Sequence, residues 1–123
     1  MNYLFVMLGG AIGSVARYQV GRLTLGWMGP NYPWGTLAVN LIGGLLMGLL
    51  VGVLARLSAA DHWRLFAAIG VLGGFTTFSS FALDTVNMLT RGDYAAAIGY
   101  VLLSVAGAIL GVIAGLALVR VLA

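Results

Sequence analysis

The stretch Gly73-Gly74-Phe75-Thr76-Thr77-Phe78-Ser79-Ser80-Phe81 interrupts an otherwise aliphatic hydrophobic segment with paired glycines, hydroxyls and spaced phenyl rings. Hydrocarbon offers no hydrogen-bonding partners. Backbone rich in glycine and hydroxyl side chains is therefore tolerated at bilayer depth mainly where it is buried in protein or lines a water-filled path. The stretch predicts a helix that is broken within the membrane and lines a pore or a binding site.

The composition around this stretch predicts an integral membrane protein. Of the 123 residues, 62% are hydrophobic and only 7% are charged, and the mean hydropathy is +1.08. A bilayer core about 30 Å thick needs about 20 apolar residues per helix, so the chain accommodates four spans with short connections. Cysteine is absent, which excludes disulfides and thiolate metal sites. The six scattered arginines do not form the basic patch expected of a nucleic-acid-binding surface.

Turn signals divide the chain into four predicted spans within one all-α domain of residues 1–123. The spans are expected at about 3–25, 35–55, 64–89 and 94–119. Arg91-Gly92-Asp93 predicts a tight turn that makes the last two spans an antiparallel hairpin. Ser58-Ala59-Ala60-Asp61 has the composition of a capping box and is expected to start the third helix.

Glycines at helical spacing predict close helix packing in three of the spans. They are Gly9 and Gly13, then Gly44, Gly48 and Gly52, then Gly107, Gly111 and Gly115. In lipid, close backbone approach supplies the van der Waals contact that holds helices together. Packing within one subunit explains any single face, but three faces on so small a chain favour an oligomer.

The arginines are evenly divided between the two membrane surfaces if each extends to the nearer one. Arg56, Arg64 and Arg120 share one side, and Arg17, Arg22 and Arg91 share the other. Orientation normally follows an excess of positive residues on the cytoplasmic side. The balance predicts dual topology and an antiparallel homodimer, and the alternative is a fixed orientation set by other factors.

Two phenylalanines in the opening stretch are candidates for an anion path. Phe78 and Phe81 are three residues apart, so they share a helix face. An aromatic ring has a positive edge, which can stabilise an anion without a full positive charge. Ordinary packing is the alternative for such a pair.

Polar residues in the second and fourth spans are also spaced to share faces. Thr36 and Asn40 are four residues apart, as are Tyr100 and Ser104. The Asn40 amide either donates to an anion or makes an interhelical hydrogen bond worth about 1 kcal/mol, and the residue alone favours neither. Asp84 is the only carboxylate well inside a span, where ionisable groups are costly and indicate function.

Three motifs together resemble the Fluc/CrcB family of bacterial fluoride channels over essentially the whole chain. They are residues 9–18 (GGAIGSVARY), residues 35–43 (GTLAVNLIG) and residues 73–81 (GGFTTFSSF). The resemblance implies an antiparallel, dual-topology homodimer with two narrow fluoride pores. It also implies a bacterial inner-membrane location, with passive export of fluoride that lowers its toxicity in the cytoplasm.

The resemblance implies roles for particular residues. Fluoride-pore residues would be Asn40, Phe78, Phe81, Thr36, Ser80, Tyr100 and Ser104, with Arg17 in a vestibule. A structural sodium ion would be held by the main-chain carbonyls of Gly73 and Thr76. At Asp84 the family often has an acid one methylene longer, so its role here is open.

The expected partners are fluoride, a second copy of the chain and membrane lipid, with no nucleic acid. No nucleophile lies beside a base, so an enzyme is not expected. A proton-coupled multidrug transporter is a competing hypothesis, although the first span carries no acid. A non-transporting assembly subunit is a third, but it gives the hydroxyl and phenyl motif no purpose.

Overall fold

The computed structural model describes residues 1–58 and 60–122, and the regular structure in these ranges is helical. The elements in chain order are α1 (Asn2–Met28), α2 (Trp34–Leu57), α3 (Asp61–Trp63), the π-helix π1 (Arg64–Leu72), α4 (Gly73–Phe75), α5 (Phe78–Thr90) and α6 (Tyr94–Leu122). The prediction of an all-α fold is confirmed.

Three segments are long and apolar enough to cross a membrane: α2, the whole of Asp61–Thr90, and α6. The first helix has 27 residues, which is sufficient length. It is not among the three, and it carries Arg17, Gln19 and Arg22 in its second half. The expected spans at 35–55, 64–89 and 94–119 therefore correspond to membrane-capable helices, while the membrane crossing of the first stays a prediction.

The third segment is broken where the opening stretch predicts. The break follows α4, because Thr76 has ψ 157° and Thr77 has φ −150° and ψ 122°, which is extended backbone. Before the break, π1 runs for nine residues, a length unusual for this type of helix. No pattern in the sequence predicted the π-helix.

Of the two short connections after α2 and α5, the turn at Gly92 agrees with the prediction and the capping box does not. Gly92 has φ +84°, and its N–H donates to the Leu89 carbonyl at 3.1 Å, as expected of a turn glycine. The capping box is wrong: Ser58, with φ 48°, ends α2 instead, and α3 starts at Asp61 without a side-chain cap. Ala59 of that motif lies outside the described residues.

Glycines set the packing of two helix pairs. A Cβ on Gly9 or Gly13 of α1 would meet the backbone of π1 and α4, and a Cβ on Gly44 or Gly48 would meet the backbone of α6. Thus α1 lies against the first half of the third segment, and α2 lies against α6. The small faces serve packing within the chain, so they no longer argue for an oligomer.

Candidate functional site at the helix break

The break is held open by the side chain of Asn40 on α2. Its Nδ2 donates to the Thr77 carbonyl at 2.9 Å, and its Oδ1 accepts from the Thr77 N–H at 2.8 Å. Because a backbone N–H can donate only to the oxygen, this pair fixes the orientation of the amide. The interhelical hydrogen bond considered for Asn40 is therefore present, and the second hydrogen on Nδ2 still has capacity to donate.

Threonine hydroxyls close the two helix ends on either side of the break. Thr77 is the N-cap of α5, and its Oγ1 accepts from the Ser80 N–H at 3.2 Å. Thr76 ends α4, with both its N–H and its Oγ1 donating to the Leu72 carbonyl at 3.0 Å. The Thr77 contact satisfies the Ser80 N–H, which the break would otherwise leave unpaired.

Arg17 of α1 also makes a hydrogen bond to the backbone at the break. Its Nε donates to the Gly74 carbonyl at 3.1 Å, in a partly buried contact. The even division of arginines assumed that Arg17 extends to the membrane surface, and this assumption is wrong because the freed Gly74 carbonyl holds the guanidinium at the break. Without Arg17, the division is two arginines on one side, Arg22 and Arg91, and three on the other.

The two carbonyls expected to hold sodium, those of Gly73 and Thr76, lack the backbone N–H donors that a continuous helix would give them. In a continuous helix, the Gly73 carbonyl would accept from the Thr77 N–H and the Thr76 carbonyl from the Ser80 N–H. Here those N–H groups donate to Asn40 Oδ1 and Thr77 Oγ1. Oxygen atoms are the ligands that hard cations prefer, so the Gly73 and Thr76 carbonyls fit such an ion.

One side of the break opens into a cavity of about 380 Å³ between α2 and α6, here called the phenyl groove. Its lining includes Asn40, Thr76, Phe78, Phe81 and Ser104. The Phe78 and Phe81 ring centroids are 5.5 Å apart, and Phe78 is 78% exposed whereas Phe81 is buried. Ser104 Oγ is buried and has no hydrogen-bond partner in the described part of the chain. Predicted pore residues from three helices are thus brought together.

A second cavity, of about 660 Å³, lies between α1, α2 and the start of α5 and is here called the arginine vestibule. Arg17 and Arg22 line it together with Thr36, Thr77 and Ser80. Thr36 and Ser80 therefore line the arginine vestibule and not the phenyl groove. From the sequence, Arg22 was expected only as a membrane-end anchor. The signal for its place here is its spacing of four residues from Tyr18 and eight from Ser14.

Tyr100 does not line the phenyl groove with Ser104. The tyrosine is fully buried, and its hydroxyl donates to Asp84 Oδ2 at 3.1 Å. Its ring packs 5.3 Å from Phe81 and edge-on against Tyr32 at 5.6 Å. Asp84 and Tyr32 line a third cavity, of about 370 Å³. Tyr32 belongs to the connection between α1 and α2, outside the spans, and burial raises the pKa of its hydroxyl.

The fold and the site define a class: small multi-pass membrane proteins in which a broken helix lies between two cavities. Residues 4–116 match the family described as CrcB-like protein, Camphor Resistance (CrcB), and the chain belongs to this family.

Three relatives of the chain, from three bacteria, are each named fluoride-specific ion channel FluC. The relative from Agrobacterium fabrum is 54% identical over 98% of this chain and 97% of its own length. The relative from Erythrobacter litoralis is 52% identical over 98% and 93%, and the one from Sphingopyxis alaskensis is 50% identical over 98% and 97%. The family is a channel family, not a family of enzymes.

Proposed function

We propose that this protein is a fluoride-selective channel that lets fluoride leave a bacterial cell passively through the inner membrane. The names of the relatives support fluoride as the ion. The single observation that carries the site is the phenyl groove, where Asn40, Phe78, Phe81 and an unpartnered Ser104 hydroxyl converge at the helix break.

The chemistry of the groove suits a small, strongly hydrated anion. A selective path must replace the water around the ion with several modest donors, so that the ion both enters and leaves. The free Nδ2 hydrogen of Asn40, the Ser104 hydroxyl and the ring edges of Phe78 and Phe81 are donors of this kind. Each is weaker than a fully desolvated arginine, which would hold the ion too tightly.

The working unit in this proposal is an antiparallel homodimer with two pores, each lined by both subunits. The strongest support is Phe78, which is 78% exposed although it lines the groove. A second copy of the chain would cover this ring and close the groove into a path. A reporter fused to the C-terminus should then detect both orientations in the membrane, and a single orientation would contradict dual topology.

A sodium ion at the centre of the dimer is the second part of the proposal. The Gly73 and Thr76 carbonyls of two copies would supply four oxygens, and a bound cation would offset their repulsion. Replacing sodium by a bulky organic cation during purification should lower the thermal stability of the dimer. Equal stability in both salts would contradict a structural sodium ion.

The function is tested by anion efflux from proteoliposomes loaded with fluoride or chloride. We expect rapid fluoride efflux and negligible chloride efflux. Phe78→Ile should abolish fluoride efflux while the dimer still assembles, whereas Phe66→Ile, the same change in π1 away from the groove, should not. Wild-type efflux from Phe78→Ile would contradict the site. Silence toward both ions, with organic-cation export driven by the protonmotive force, would support the transporter hypothesis instead.

A further inference from the structure

We propose that Arg22, and not Arg17, is the residue whose charge draws anions from solution into the arginine vestibule. The inference rests on the proposed anion-channel function and assigns a further residue to it. It concerns the rate at which ions reach the site and not their stabilisation at the break.

The vestibule is built to attract anions. One face of α1 lines it, with Ser14, Arg17, Tyr18, Gly21, Arg22 and Leu25 at helical spacing. The remaining lining residues come from α2, the break and α5, and none of the lining residues is acidic. Two positive charges therefore face this cavity without a carboxylate among its walls, so its potential is positive.

The two arginines have different environments. Arg17 is half-buried and its Nε donates to the Gly74 carbonyl at 3.1 Å, so its guanidinium is fixed at the break. Arg22 is exposed and its side chain makes no hydrogen bond or ion pair within residues 1–58 and 60–122. A residue that holds backbone together is a positioning residue, whereas an unengaged cation on a cavity wall is free to act through its field.

Position along the helix also favours Arg22 as the steering charge. It lies five residues beyond Arg17 toward the end of α1, which corresponds to about 7.5 Å along the helix axis. It is therefore nearer the connection between α1 and α2, at the end of the bundle from which ions would enter. An exposed guanidinium stays hydrated, so it raises the local concentration of anions without trapping them.

A steering charge has a signature that a structural residue lacks, because salt screens it. The Debye length is about 30 Å at 0.01 M and about 8 Å at 0.15 M ionic strength. The test is the initial rate of fluoride efflux from proteoliposomes at these two ionic strengths, adjusted with an impermeant organic salt. Wild type, Arg22→Gln and Arg22→Lys are compared. Arg91→Gln is the matched control, since its guanidinium is paired with Asp93 at 3.2 Å and lines a different cavity.

We expect Arg22→Gln to lower the rate about two- to fivefold at low ionic strength and to equal wild type at high ionic strength. Arg22→Lys should keep the wild-type rate at both, and Arg91→Gln should show little change. An unchanged rate for Arg22→Gln at low salt overturns the inference alone, as does a deficit that salt does not reduce. No fluoride efflux from wild type overturns the proposed function together with this inference.

Discussion

Asn40 pairs with both backbone groups of Thr77, accepting from its N–H at 2.8 Å and donating to its carbonyl at 2.9 Å. One amide side chain thus replaces the hydrogen bonds that a continuous helix would make at this point. Because the N–H of Thr77 is taken by Asn40, the carbonyl of Gly73 is released. The Asn40 side chain therefore stabilises the break and also leaves the Gly73 carbonyl without its usual helical donor.

Asn40→Asp is expected to abolish fluoride efflux and to lower stability by about 1–3 kcal/mol. The carboxylate keeps the acceptor for the Thr77 N–H but loses the donor, and it faces the Thr77 carbonyl with like charge. Efflux and thermal unfolding in detergent measure the two effects. Asn87→Asp makes the same change at an exposed position on α5, so it should leave stability close to wild type. Equal loss in both variants would contradict the role of Asn40.

Thr77→Val should destabilise the protein by about 1 kcal/mol, because it removes the oxygen that caps α5. Thr77→Ser keeps that oxygen, so it should retain most of the stability. Thermal unfolding in detergent measures the difference. Thr90→Val is the control, since the exposed Thr90 hydroxyl donates to the Val86 carbonyl inside the same helix and caps nothing. A larger loss for Thr90→Val than for Thr77→Val would contradict the capping role.

Gly13→Ala should impair folding, with a cost of about 1–3 kcal/mol or more. Its Cβ would press on the Val71 carbonyl and lie 2.8 Å from the Phe75 backbone nitrogen, and backbone cannot move aside as a side chain can. Gly10→Ala is the matched control, because nothing lies within 4 Å of its added Cβ. The yield of folded protein and its melting temperature in detergent measure both variants. Equal behaviour would show that α1 does not pack as described.

Tyr100→Phe should cost about 1–3 kcal/mol, because it leaves the Asp84 carboxylate without its buried donor. Asp84→Asn keeps an acceptor for the Tyr100 hydroxyl and should cost less. Unfolding of Tyr100→Phe, of Asp84→Ala, which removes the acceptor, and of the double variant of these two gives their coupling energy. Tyr94→Phe is the control at an exposed tyrosine and should be neutral. Additive effects at positions 84 and 100 would contradict a direct hydrogen bond.

Much of the site could be predicted from residue types and spacing. Phe78 and Phe81 share a face because they are three residues apart, and their ring centroids do lie 5.5 Å apart. The break could be placed from its glycines and hydroxyls, which signal backbone that needs partners other than its own helix. The π-helix could not be predicted, because Arg64–Leu72 is as apolar and periodic as an α-helix.

Pairings between distant residues depend on how the helices meet. Arg17 and Gly74 are 57 residues apart in the chain, and no local pattern links them. Tyr100 was grouped with Ser104 because the two share a helix face, yet its hydroxyl donates to Asp84 on the neighbouring helix. Spacing within one helix predicts which face a side chain shares. It does not predict the side chain's hydrogen-bond partner, which lies on another element.

The sequence alone determined that this protein is helical and apolar, that its third segment is broken within residues 73–81, and which family it resembles. These properties follow from composition and from residues that are neighbours along the chain. Such local patterns are informative in a membrane protein because each span must satisfy its backbone hydrogen bonds without water. The tertiary structure decided that Asn40 and Arg17 hold the break, that Thr36 and Ser80 line the arginine vestibule, and that Arg22 is left unengaged. Those outcomes depend on which helices pack together through their glycine faces. Such packing joins residues that are distant in the chain, so spacing within one helix does not predict it.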